Sequence, residues 1–235
     1  MKKEIFLPAV IIITGLMIAT AVYIITSENY RPPISRQSQN HQAETTDQIL
    51  PVNIADHILG NPNAPIKIIE YADFSCSYCA QYQQTLHRII NDYGPTGNVA
   101  WVFREFPLPS HPNALQEAQT AQCVAKTAGN DTFWKFADIL FANQPIKETQ
   151  LGEYVHRAGA NPTKVALCVS DNITNKRILA QRKNAEAIGV NGIPYTVILT
   201  PKGIQMSFIS AAPYSYLQQH LNAIMVQDGI ISKAK

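Results

Sequence analysis

From Ile5 to Ile25 the chain runs through 21 residues without a charge. At about 1.5 Å per residue, a helix over this run would reach roughly 31 Å, the depth of a bilayer's hydrocarbon layer. Residues 27–50 change character: Ser, Asn, Gln, Thr, Pro and charged residues dominate, little is available to bury, and the stretch reads as a flexible polar linker. Beyond residue 50, apolar positions return with short, regular periods. Ile66 to Ala72 is brief and Ile-rich, which predicts a strand. In the next run, Cys79, Tyr82, Leu86, Ile89, Ile90 and Tyr93 recur at helical spacing, with Ser75 placed to cap the helix and Gly94-Pro95 to end it. Val99 to Phe106 predicts a second strand, so the first two strands and their helix form a parallel βαβ unit.

Helical spacing then prevails over Asn113 to Ala128, Thr132 to Asn143, Glu148 to Ala158, Thr163 to Val169 and Ile173 to Ile188. Breaks at Gly129-Asn130, Gln144-Pro145, Gly159 to Pro162 and Asp171-Asn172 separate these runs. Strand patterns resume at Tyr195 to Thr200 and Ile204 to Ser210, joined by Pro201-Lys202-Gly203, and Tyr214 to Val226 supplies a last helix. The expected fold class is therefore α/β: a βαβ half and a ββα half flank a helical insertion at about residues 112–188, within a domain spanning 51–235 and preceded by segments 1–26 and 27–50. Some 185 residues are enough for one sizeable core.

Charge adds a compartment. Lys2 and Lys3 precede the apolar run, so the positive-inside rule keeps the amino terminus in the cytoplasm and exports the chain beyond Thr26. Ala19-Thr20-Ala21 would suit signal cleavage, but Val22 to Ile25 continues the apolar run, which favours an uncleaved anchor over residues 5–25. The expectation is a bacterial cytoplasmic-membrane protein with its domain in the periplasm or outside, or a periplasmic or secreted one if the segment is cleaved. The net charge is only +2, and its basic residues are scattered. Lys176-Arg177 and Arg182-Lys183 read as the solvated face of one helix, and no nucleic-acid partner is expected.

The candidate chemistry lies in Cys76-Ser77-Tyr78-Cys79, where a strand gives way to a helix. Two thiols on a first helical turn are close enough to bridge, and the turn's unpaired N–H groups stabilise a thiolate. Cys76 is then the expected nucleophile and Cys79, one turn in on the apolar face, the resolving thiol. A structural bridge closing so short a loop would constrain the unfolded chain little. A zinc site would need two more ligands at suitable spacing, whereas Cys123 and Cys168 stand alone, so neither metal nor cofactor is expected.

The tetrad does not stand alone. Leu59 to Pro65, Phe103 to Leu108 with His111 to Ala114, Phe133-Trp134, and Gly189 to Pro194 succeed one another in order. Together with the element order, these segments make the chain resemble the DsbA-like thiol:disulfide oxidoreductases, a thioredoxin fold with an inserted helical domain, over roughly residues 56–227. The resemblance implies disulfide exchange with exported proteins and a membrane redox partner, quinone-linked if the protein is an oxidase. It implies that Glu70, six residues before Cys76, is the acid buried beneath the disulfide and exchanges a proton with Cys79. Ile193-Pro194 matches the family's cis-proline loop, which offers its backbone to a substrate peptide. The departure is Ser77-Tyr78: strong oxidases of this type carry Pro-His there, and a less stabilised thiolate gives a less oxidising disulfide. An oxidase is expected, with isomerase or reductase duty as the alternative and a membrane-tethered peptide-binding factor as the reading from another class.

On a helical wheel, Ala114, Ala118, Ala121, Ala125 and Ala128 share a face, and Cys123 falls opposite with Gln116, Gln119 and Thr127. The expectation is that Cys123 lies off the core and bridges to Cys168 in a structural disulfide, the rival being a free or intermolecular thiol. The histidines, His111 included, read as surface, cap or turn residues, and Phe133, Trp134 and Phe136 as core.

Overall fold

The computed structural model describes residues 49–172 and 174–231. The expected anchor at residues 5–25, the segment 1–26 and nearly all of the linker lie outside these residues, as does Ile173. Among the described residues, no helix is long and apolar enough to cross a membrane.

The strands are β1 (His57–Gly60), β2 (Ile66–Ala72), β3 (Val99–Glu105), β4 (Tyr195–Thr200) and β5 (Gly203–Ile209). They form one mixed sheet in the order β1-β3-β2-β4-β5. Only β2 and β3 run parallel, in register from Ile66 opposite Val99 to Ala72 opposite Glu105, and helix α1 (Ser77–Tyr93) connects them. After β3 come α2 (Ala114–Ala128), α3 (Asn130–Ala142), α4 (Leu151–Ala158), α5 (Pro162–Ser170) and α6 (Asn175–Ala187); α7 (Tyr214–Gln227) closes the domain.

The central strand β2 is covered on both faces, which is why its sequence is nearly continuous apolar rather than alternating. Ile66, Ile68 and Ala72 pack with Trp101, Phe103, Leu86 from α1 and Leu217 and Leu221 from α7, while Ile69 and Tyr71 pack on the other face with Val102, Val197, Ala185 and Ile188. Glu70, with the side-chain period of two, belongs to the first face. Phe133, Trp134 and Phe136 are buried in that same cluster, together with Val155 of α4 and Val165 of α5. The inserted helices α2–α5 therefore have no separate core; they extend the one above the sheet, whereas α6 covers the sheet's opposite face.

Two expectations are corrected, and one strand is added. β1, where the sequence predicts no element, is a four-residue edge strand antiparallel to β3, too short to carry a period of its own. Cys123 is fully buried, because neighbouring polar residues Glu117, Thr120 and Gln122 are buried too: α2 is packed on more than its alanine face. Arg177 is not simply a solvated residue, since its guanidinium turns to Asp56 at 3.3 Å, where Arg104, 1% exposed at its side chain, also binds at 3.3 Å. Arg104 further donates to the carbonyl oxygen of Leu50 at 2.7 Å, tying the start of the domain to β3.

Candidate active site

β2 ends at Ala72, and the chain turns through Asp73, Phe74 and Ser75 into α1. The turn is held by its own backbone: the Cys76 N–H donates to the Asp73 carbonyl at 3.0 Å. The residue capping α1 is Cys76 itself, in extended conformation, with Sγ accepting the N–H of Cys79 at 3.1 Å. This corrects the expectation for Ser75, whose hydroxyl instead donates to Glu117 on α2. A sulfur in the cap position takes a hydrogen bond normally given to Ser, Thr or Asp oxygen, and that bond favours the charged form.

Both cysteines are reduced and buried, whereas Ser77 and Tyr78 between them are exposed, Tyr78 at 65%. The hydrogen bonds from Cys79, joined by the N–H of Tyr78, hold the Cys76 thiol below its ordinary range, against burial and the negative charge of Asp73. Burial pushes the Cys79 thiol far up, and the proximity of Cys76 and Glu70 adds to it. The two sulfurs are thus split in acidity, as an attacking and a resolving thiol require.

Glu70 is completely buried on the α1 side of the sheet. Its carboxyl accepts from Gln83 Nε2 at 3.2 and 3.3 Å and from Trp101 Nε1 at 3.1 Å. Desolvation outweighs both hydrogen bonds and pushes it up to about 8, so it is a proton-bearing acid at neutral pH. One step along α1, the Tyr82 hydroxyl accepts from Thr196 at 3.1 Å, and Thr196 is the β4 residue paired with Glu70.

β4 runs antiparallel to β2, with Tyr195 opposite Tyr71. The loop before β4 therefore lies at the same edge of the sheet as the Asp73–Cys76 turn. Ile193–Pro194 is in that loop, with a cis peptide bond; Pro194 is buried and its carbonyl accepts the Ser210 N–H at 3.1 Å. The second cysteine pair stands apart: the sulfurs of Cys123 on α2 and Cys168 on α5 are bonded at 2.09 Å, with 45 residues between them in sequence. Among the described residues, no group of His, Cys, Asp and Glu side chains could hold a metal ion.

Sequence reasoning missed the inserted helices' hold on the turn before Cys76. Glu117 accepts the Ser75 hydroxyl at 2.8 and 3.0 Å, and Gln144, just beyond α3, donates to the carbonyls of Phe74 and Cys76, the latter at 3.1 Å. Asp73 accepts the Ser75 N–H at 2.7 Å, the Leu108 N–H at 2.8 Å and a contact from His111 Nδ1 at 2.9 Å. His111 sits in a turn as expected, but it also faces this carboxylate. No local signal reveals these partners, which lie 42 and about 70 residues from the turn.

Residues 52–207 match the family described as Thioredoxin. Among solved structures, alpha-DsbA1 of Wolbachia pipientis superposes with a TM-score of 0.68 at 20% identity, covering 79% of this chain and 98% of that one. DsbA2 of Pseudomonas aeruginosa does so with 0.61 at 23% identity, covering 74% and 96%. Of curated proteins, the Na(+)/H(+) antiporter NhaA 3 of Salinispora tropica is 30% identical over 151 residues, 63% of this chain but 22% of that protein. The chain thus spans about a fifth of that relative's length.

Proposed function

This chain belongs to the thioredoxin family, and from that premise we propose that it is a thiol:disulfide oxidoreductase whose Cys76–Cys79 pair exchanges disulfides with exported proteins. The observation that carries the reading is the Cys76 sulfur at the amino terminus of α1, receiving the Cys79 N–H, with the fully buried Glu70 near enough to act on the Cys79 thiol. In the oxidising direction, a substrate thiolate attacks Cys76 of the disulfide and Cys79 leaves, taking the proton that Glu70 can supply. The substrate's second thiolate then attacks the mixed disulfide, and Cys76 departs as a thiolate stabilised by its helix turn. Ile193 and Pro194, at the same sheet edge, are the backbone platform for the substrate peptide.

The protein works outside the cytoplasmic membrane, tethered by residues 5–25, and as an oxidase it is returned to its disulfide form by a quinone-linked membrane partner. One observation favours a second direction. Ser77-Tyr78 places no histidine beside Cys76, and Asp73 opposes its thiolate, so the disulfide is a milder oxidant and isomerase or reductase duty is the alternative.

The test is trapping. Cys79→Ser should accumulate a mixed disulfide with a thiol substrate peptide on Cys76, and Cys76→Ser should lose exchange altogether. Exchange at the wild-type rate in Cys76→Ser would overturn the assignment. The equilibrium of the wild-type pair against glutathione decides the direction.

A further inference from the structure

The inserted helices grip the turn that carries Cys76 at three successive residues. The Phe74 ring, 1% exposed, lies 5.1 Å from the ring of Phe141 on α3. The Ser75 hydroxyl is held by Glu117 on α2 at 2.8 and 3.0 Å. Gln144, two residues past the end of α3, donates its side-chain amide to the Phe74 carbonyl and, at 3.1 Å, to the Cys76 carbonyl. The exchange chemistry proposed above uses none of these partners.

Of the three grips, that of Gln144 falls on the nucleophile's own backbone. Cys76 stands at φ −83° and ψ 117°, the extended conformation of a helix cap. With Cα in place, ψ is set by the direction in which the residue's carbonyl points, so a donor fixed on that oxygen fixes ψ. In the capping conformation Sγ folds back to accept the Cys79 N–H at 3.1 Å, and this bond holds the thiol below its ordinary range. A ψ in the helical range would draw Cys76 into the helix and lose the cap. From inside α1, the Ala80 N–H also donates to the Cys76 carbonyl, at 3.0 Å. That bond is the first of the helix, where fraying begins, whereas Gln144 holds the same oxygen from a separate element.

An amide is the group this place calls for, since two carbonyl oxygens face it and an NH2 group offers two donors. We propose that Gln144 is a positioning residue for Cys76: by fixing the Cys76 carbonyl it keeps the residue in its capping conformation, and with it the Sγ–Cys79 bond that favours the thiolate. The inserted helical module thereby contributes to the acidity of the nucleophile without touching its sulfur. This inference rests on Cys76 being the reacting thiol, as proposed above.

The experiment titrates Cys76 in the reduced full chain, through the pH dependence of its reaction with iodoacetamide, for wild type and Gln144→Met. Methionine keeps the length of the side chain and removes both donors. Cys79 stays silent, because it is buried and its thiol is pushed far up. Urea unfolding of both proteins runs alongside. Loss of the grip should move the Cys76 midpoint up by about half to one pH unit, a thiolate fraction about three- to tenfold smaller below the midpoint, the worth of one hydrogen bond. The equilibrium with glutathione should move toward the Cys76–Cys79 disulfide, because the dithiol has lost part of what stabilises its thiolate.

A midpoint equal to that of the wild type overturns the proposal; if stability alone falls, Gln144 is a structural prop. Ser75→Ala frees the neighbouring residue and leaves the Cys76 carbonyl bonded, so it should shift the midpoint much less, and an equal or larger shift overturns the assignment to Gln144. Should Gln144→Met fail to fold, the side-chain amide resonances of Gln144 in the wild type stand in. Bonded to the Cys76 carbonyl, they should move with the Cys76 titration, and resonances that stay flat across it overturn the proposal. If Cys76→Ser still exchanges disulfides, the functional reading fails instead, so the two failures are distinguishable.

Discussion

Replacing Glu70 by Gln tests the buried acid by thermodynamics alone. In an unfolded chain its carboxyl titrates near 4.5, whereas desolvation in the fold lifts it to about 8. Between these values the unfolded state loses the proton and the folded state keeps it, so Glu70 subtracts stability as pH rises through that window. The loss is absent below about 4.5 and complete above about 8. At 1.36 kcal/mol per pH unit it accumulates to an upper bound of about 5 kcal/mol. Glutamine keeps the shape and does not titrate. Its carbonyl can accept from Trp101 and Gln83, and its amide can donate to Gln83 Oε1, which is buried without a partner. The stability of Glu70→Gln minus that of the wild type should therefore climb with pH, measured by urea unfolding of the reduced proteins at several values between pH 5 and 8. Taking the difference removes the other titrating groups shared by both proteins. Parallel stability curves, with no gain for the variant across that range, would refute a protonated Glu70 and with it the proton supply to Cys79.

The same geometry sets two further outcomes. Trp101→Phe deletes the donor at 3.1 Å from Glu70 and keeps most of the buried ring, so it should cost about 1–3 kcal/mol above pH 8, where the carboxylate needs the bond, and less at pH 6; a pH-independent loss would show that Trp101 acts by packing alone. Replacing Cys123 and Cys168 together by Ala frees a loop with 45 residues of separation, an expected destabilisation of about 4 kcal/mol by chain entropy, with exchange at Cys76 retained; an unchanged melting temperature under non-reducing conditions would argue against the bridge as a staple.

Much of the fold is legible in the chain. β2 and β4 fall on the residues their Ile- and Val-rich runs mark, and α1, α2 and α7 differ from expectation by a residue or two. These elements declare themselves because their periods are local: seven residues of β2, or the Tyr82, Leu86 and Ile89 stripe of α1, suffice to say which faces are apolar. β1 does not, because an edge strand of four residues owes its state to pairing with β3.

The candidate site divides along the same line. That Cys76 and Cys79 share a helix start is written in the chain, since strand, turn and helix succeed one another directly, and the helix N–H groups supply the acidity of Cys76. The surroundings of the two thiols are set by packing in three dimensions. The full burial of Glu70, the inward turn of Cys123 and the grip of Glu117 and Gln144 on the Cys76 turn come from segments tens of residues away. Hydrophobic period is a property of neighbours along the chain, whereas desolvation and charge coupling depend on neighbours in space. That is why the thiols can be read directly from the chain and Glu70 from the family resemblance, whereas Glu117 and Gln144, which grip the turn from distant segments, cannot.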